Sequence, residues 1–152
     1  MISFTNIIQE SYERAAGIVI VDSKQERVLT IWPTNQYGGY MFTFPKGRID
    51  RNETAQQAAQ REFEEETGLS KEDVKMGESI GTFSGTTTDT QYFLGSLTSD
   101  DIVDNARPPI NKELGFPEAE KVEWMYIEDF LDTTTSDRDR KIIMMLKKVL
   151  DI

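Results

Sequence analysis

The chain has no cysteine and no histidine among its 152 residues. Without cysteine there are no disulfides and no thiolate metal sites, and nothing ties the protein to an oxidising compartment, so a reducing, cytoplasmic setting is expected. Without histidine, Ser-His-Asp triads, histidine-ligated zinc and imidazole acid-base chemistry are excluded. Carboxylates, lysine, tyrosine and water polarised by a metal remain as catalysts. Long apolar runs are missing too: the longest extends from Ala15 to Val21, far short of the roughly 20 residues that a membrane span requires. Met1 to Glu13 contain no basic region followed by an apolar stretch, so no signal peptide is expected. Positive charge is scarce. Seventeen basic residues against 27 acidic ones give a net charge of −10, which argues against sequence-independent binding to the backbone of long nucleic acids. A small anionic substrate would need local cations, and a chain rich in carboxylates can supply them by binding a divalent metal.

What is present suits one domain over residues 1–152, with a hydrophobic content of 38% sufficient for a single core. β-Branched Ile18, Val19, Ile20 and Val21 mark a buried strand over Arg14 to Val21. Val28 to Trp32 repeats the signal across a polar connection suited to a hairpin, and Pro33 ends it. Met41 to Phe44 reads as a short strand entering Pro45-Lys46-Gly47. Further strands are expected at Met76 to Phe83, Gln91 to Leu97 and Val122 to Ile127. Between the last two, Thr98 to Glu120 has little periodicity and reads as a long loop with at most a short helical turn, a kind of segment that often carries function. Glu128 to Leu131 suggests a turn of helix, and Ser136 to Leu150 an amphipathic terminal helix with Ile142, Ile143, Met145, Leu146 and Val149 inward. Strands and helices interleave, which makes the class α/β or α+β with a mixed sheet.

The strongest helix signal runs from Thr54 to Thr67: Thr54 and Gln57 have capping-box spacing, and Gly68 is a natural C-cap. At about 100 degrees per residue, Ala55, Ala59, Glu62, Phe63 and Glu66 share the side expected to pack inward. Glu62 and Glu66 are four positions apart and aim their carboxylates at one spot, flanked by Glu65. Carboxylates so arranged repel one another unless a cation sits between them. Oxygen ligands alone favour Mg²⁺, with Mn²⁺ as a substitute. On helix geometry alone, an acidic surface stripe paired with Arg61 is an equal alternative.

The flanking residues decide between these. Gly47, Glu53, Arg61, Glu62, Phe63, Glu65, Glu66, Gly68 and Leu69 fill every position of the pattern G-x5-E-x7-R-E-φ-x-E-E-x-G-φ, where φ is bulky and apolar. The segment therefore resembles the Nudix box, and the order of strands resembles that family across nearly the whole chain. The resemblance implies an α/β/α sandwich with a mixed β-sheet, on which a loop-helix-loop cradle holds Mg²⁺. It implies Glu62 and Glu66 as metal ligands with Glu65 assisting, a main-chain carbonyl ligand at Lys46, and Arg61 and Glu53 holding the glutamates in position. It also implies a hydrolase that cleaves phosphoanhydride bonds. The general base is left open between Glu62 and a carboxylate outside the box, with Glu118 the first choice there and Glu120 in reserve.

Pro45-Lys46-Gly47 resembles the variant found in dinucleoside polyphosphate hydrolases, diphosphoinositol polyphosphate hydrolases and RNA 5′-end pyrophosphohydrolases. Lys46 and Arg48 would offer cationic donors to a phosphate chain. The proline that marks ADP-ribose hydrolases beyond the box is missing, as is a tyrosine near that position, which weakens the simplest dinucleoside polyphosphate assignment. Nucleoside triphosphate or ADP-ribose cleavage is the alternative activity, and a nucleotide-sensing module without turnover is the alternative of a different class. Trp32, Tyr37, Tyr40 and Phe42 are candidates to stack a base, or core and rim residues. Monomer and homodimer are both compatible with the sequence.

Overall fold

Strand β1 (Glu13–Ile20) is exposed at Glu13 and Arg14 and then buried through to its end. Such a strand needs cover on both faces, and the computed structural model, which describes residues 13–152, provides it. The reading of the first residues as free of a signal peptide falls outside this range. β1 is an inner strand of a four-stranded mixed sheet in which β3 (Lys46–Arg48), β1, β5 (Thr88–Leu97) and β4 (Val74–Ser84) follow one another in that order. It runs antiparallel to β3 and parallel to β5, and β5 pairs antiparallel with β4.

Alternation along β1 sends successive side chains to opposite faces. Ala16, Ile18 and Ile20 meet helix α1 (Ala55–Thr67): Ile18 and Ile20 pack with Phe63, and Ala16 with Ala58 and Ala59. Val19 and Val21 point the other way, into a cluster with Phe42, Phe44, Tyr92, Ile127, Phe130, Ile142, Ile143 and Leu146. The last five of these include residues of helices α2 (Ile127–Thr133) and α3 (Asp137–Leu150). Two helical layers thus enclose the sheet, the expected α/β/α sandwich. Burying Phe63 completely contributes about 2 to 3 kcal/mol, enough to hold α1 firmly on β1. Among the described residues no helix is long and apolar enough to cross a membrane.

Four details differ from the sequence reading. The expected hairpin between β1 and β2 (Arg27–Pro33) is reduced to one bridge, Val21 with Val28. β2 leaves the main sheet to pair with β8 (Ala119–Tyr126). Met41 to Phe44 is not a strand: Thr43 bridges Ile31, and pairing begins only at Lys46. Gly17 permits the close pairing that begins there, because a Cβ on it would lie 2.8 Å from the Pro45 carbonyl oxygen and 2.9 Å from Lys46 Cβ. The long loop contains a 3₁₀ segment, Asp100–Asn105, and a small hairpin of β6 (Ile110–Asn111) with β7 (Phe116–Pro117). On α3, Met145 and Val149 lie at the rim, 37% and 38% exposed, because Ile142, Ile143 and Leu146 already fill the apolar stripe.

Candidate active site

Helix α1 is fixed at both ends. Thr54 accepts from the Gln57 amide at 3.1 Å, and the Gln57 side chain accepts from the Thr54 amide at 2.9 Å. Gly68 closes the helix at φ 74°, donating its amide to Glu64 at 2.9 Å. Glycine is required there twice over: the left-handed conformation disfavours a side chain, and a Cβ would collide with the Arg107 carbonyl.

The helix so anchored directs Glu62 and Glu66 inward. Glu66 is 5% exposed; its Oε1 accepts from the Lys46 amide at 3.4 Å, and its Oε2 is buried with no hydrogen-bond partner. Glu118, just before β8, joins them. Carboxylate oxygens of Glu62, Glu66 and Glu118 all lie within 4.8 Å of one another. The Glu118 backbone is tied to the end of β2, its carbonyl accepting from the Thr34 amide at 2.9 Å. Its Oε1 accepts from Asn111 Nδ2 at 2.6 Å.

Arg61 links the parts. Its Nε and Nη2 form a fork on Glu53 at 2.8 and 3.0 Å, Nη1 donates to Glu62 at 2.9 Å and to Glu65 at 3.2 Å, and Nη2 also reaches the Arg48 carbonyl at 2.8 Å. Glu53 in turn accepts from the Asp50 amide at 2.9 Å. The guanidinium holds the Glu53 carboxyl below its usual range, and the same bonds raise Arg61 further. The cluster is shifted the opposite way. Burial, then the charge of Glu65, pushes Glu62 up to about 7, and burial, then the charge of Glu62, pushes Glu66 well up. Burial, then the charge of Arg138, pulls the Lys46 ammonium down.

A buried, unpartnered carboxylate oxygen beside two more carboxylates is costly as it stands. A hard divalent cation held by oxygens is the group that this donor set fits, since it would satisfy the orphaned atom and cancel the repulsion together.

The remaining residues singled out from sequence are distributed around this cluster. Glu65 is 53% exposed on the outer side of Arg61 and is not one of the three converging carboxylates. Glu120 is exposed and stands apart from them. Arg48 is 72% exposed and pairs with Glu13 at 2.8 Å. Lys46 lines a cavity of about 230 Å³ together with Tyr37, Tyr40, Glu66 and Glu118, its ammonium 5.7 Å from the centre of the Tyr40 ring. On the other side of Glu118 a cavity of about 460 Å³ is lined by Glu65, Asn111 and Lys112 among others. Trp32 and Phe42 pack on each other at the core, with ring centres 5.3 Å apart, so of the four aromatics only Tyr37 and Tyr40 face the first cavity. Two residues were not anticipated. Arg138, in the terminal helix but off its apolar stripe, lies 5.2 Å from the Tyr40 ring, and Asn111, which donates to Glu118, belongs to no motif or periodic pattern.

Comparison with known proteins agrees with this arrangement. Residues 11–146 match the NUDIX domain family. The chain is 43% identical over 67 residues to an RNA pyrophosphohydrolase of Pasteurella multocida, a match covering 44% of this chain and 32% of that protein. It is 44% identical over 70 residues to an RNA pyrophosphohydrolase of Serratia proteamaculans, covering 46% and 38%. The chain thus spans well under half the length of these curated relatives. In fold it is similar to a C. elegans Ap4A hydrolase in a binary complex, with TM-score 0.71, 22% identity and coverage of 91% of this chain and 98% of that one. A Nudix hydrolase from M. smegmatis gives TM-score 0.69 at 17% identity, covering 91% and 86%. With the complete box folded into a carboxylate cradle and the family match spanning the sheet and its helices, the chain belongs to the NUDIX domain family.

Proposed function

We propose that the chain is a Mg²⁺-dependent pyrophosphohydrolase acting on a polyphosphorylated substrate of the RNA 5′-end or dinucleoside polyphosphate class. The observation that carries this reading is the convergence of Glu62, Glu66 and Glu118 around the unpartnered oxygen of Glu66. These three carboxylates, with the Lys46 carbonyl, would hold the cation, and Glu65, exposed and bonded to Arg61, would assist only after a change of rotamer. When bound, a divalent ion supplies positive charge to the phosphate oxygens and makes water more acidic. In the hydrolysis, the oxygen of water bonds to one phosphorus, the bridging P–O bond breaks, and its electron pair departs with the other phosphate. The proton of the water goes to a carboxylate of the cluster, Glu62 or Glu118. Arg61 keeps Glu62 in place while Glu53 and the Arg48 carbonyl keep Arg61 in place.

The substrate class draws on the names of the relatives and on the cavity beside the cluster. Lys46 presents a cation to a phosphate chain, and the exposed Tyr37 offers a ring to a base, while Tyr40 already packs with Lys46 and Arg138. Arg48, engaged with Glu13 at the surface, would contribute only long-range charge. Diphosphoinositol polyphosphates, nucleoside triphosphates and ADP-ribose are the competing substrates. Such substrates and the absence of cysteine suit a cytoplasmic enzyme.

The deciding experiment is phosphate release with Mg²⁺ across triphosphorylated RNA, dinucleoside polyphosphates, diphosphoinositols, nucleoside triphosphates and ADP-ribose. Preferential turnover of one of the first two classes is expected. Tight binding of one compound without turnover of any would instead identify a sensing module.

A further inference from the structure

Glu118 is the one carboxylate of the cluster that does not come from helix α1, and the side chain of Asn111 touches it directly. Asn111 closes the β6–β7 hairpin. Its Oδ1 accepts from the amides of Glu113 at 2.9 Å and Leu114 at 3.1 Å, and its own carbonyl accepts from the Gly115 amide at 2.8 Å. Two backbone donors on Oδ1 leave no freedom in the orientation of the amide: the oxygen must face the turn, so the NH₂ must face outward. Outward is where Glu118 lies, with its Oε1 2.6 Å from Asn111 Nδ2. Both ends of the side chain are therefore committed, one to fixing the loop and the other to the carboxylate.

We propose that Asn111 is a positioning residue that holds the Glu118 carboxylate in register with Glu62 and Glu66. The inference rests on the reading of these three groups as the cation site. Before the cation arrives, like charges drive Glu118 away from the other two, and the half-buried side chain has open cavities on both sides into which to swing. A neutral donor opposes that movement without competing with the cation for the carboxylate, as a lysine or arginine at the same place would. The arrangement also makes one otherwise irregular loop part of the site: the hairpin carries Asn111, and Asn111 carries Glu118.

The test is Mn²⁺ binding, followed by electron paramagnetic resonance, in the full chain. The variants are Asn111→Ser, Glu118→Ala and the double mutant, with Glu66→Gln as a control for the site. Serine retains an acceptor for the turn amides but cannot reach Glu118. Loss of such a supporting contact is expected to weaken Mn²⁺ binding roughly tenfold, and the double mutant should bind no more weakly than Glu118→Ala alone. Thermal unfolding monitors the hairpin, and Asn111→Asp serves in the same cycle if the serine variant does not fold, since it keeps the acceptor for the turn amides and lacks the donor to Glu118. Full additivity with Glu118→Ala, or unchanged binding in Asn111→Ser while Glu118→Ala is impaired, overturns the role of Asn111 and leaves the cation site standing. Unchanged binding in both Glu66→Gln and Glu118→Ala overturns the cation site, and this inference with it.

Discussion

Gly47 and Glu62 compete for the same small space: a Cβ built on Gly47 would overlap the carboxyl group of Glu62. The obstructed atoms are the far end of a flexible side chain, so a larger residue displaces the carboxylate and spares the backbone. Gly47→Ala is expected to keep its Tm within a few degrees and to lose roughly 100-fold in kcat/KM, the scale of an ångström of misplacement at a reacting centre. Unaltered kinetics in the folded variant would mean that the position of Glu62 is not critical.

Glu66→Gln removes a buried charge without changing shape. Activity should fall on the order of 100-fold or more, while the metal-free protein should become more stable at alkaline pH, because the carboxylate removed is buried beside Glu62 and Glu118 with one oxygen lacking a partner. Melting curves with and without Mg²⁺ test both effects, and the stabilisation by Mg²⁺ should shrink in the variant.

Acidity and metal act on the same repulsion. Glu62 rises from 4.5 to about 7 in the fold, and Glu66 rises with it. A carboxyl raised in the folded state binds its proton there before it does in the unfolded chain, so its contribution to stability is complete below 4.5 and is lost as pH climbs through about 7. Metal-free Tm should therefore increase as pH is lowered across that window. Glu53 works in the opposite sense: its lowered folded pKa gives stability that disappears on further acidification below 4.5. Mg²⁺ should raise Tm strongly above the window and little below it. Differential scanning calorimetry over this range, with and without Mg²⁺, checks the sign, and a metal-free Tm that climbs with pH would contradict it.

Arg61→Lys tests geometry against charge. Lysine keeps the positive charge but cannot fork onto Glu53 while also reaching Glu62 and the Arg48 carbonyl. Loss of about 10- to 100-fold in kcat/KM is expected, and recovery of wild-type rates in the lysine variant would reduce Arg61 to a counter-charge.

Helix α1 is legible in the sequence because its determinants are local: the capping pair Thr54 and Gln57, the Gly68 terminus, and the inward spacing of Phe63 and Glu66 all lie within a few turns. The sandwich is implied only by the resemblance carried by the box; the interleaving of strands and helices by itself points no further than a mixed sheet with helices. Legibility ended where distance in sequence is large. As letters in a loop Glu118 and Glu120 differ little, and the resemblance alone ranks Glu118 first; the pairing of β2 with β8 and the contact with Asn111 are what accompany its place in the cluster, while Glu120 stays exposed. Asn111 had no periodic signal to reveal it. Met145 and Val149 were misassigned because an inward stripe predicts a side of a helix and not the width of what covers it.

Because α1 is pinned at its first residue by a reciprocal cap and at its last by a glycine lodged against Arg107, electrostatic recoil among its glutamates has no backbone to bend. Departure of the ion would loosen side chains alone, leaving the amide protons of the helix as protected as before. Loading and unloading would then call for rearrangement of side chains alone, with no refolding step in between.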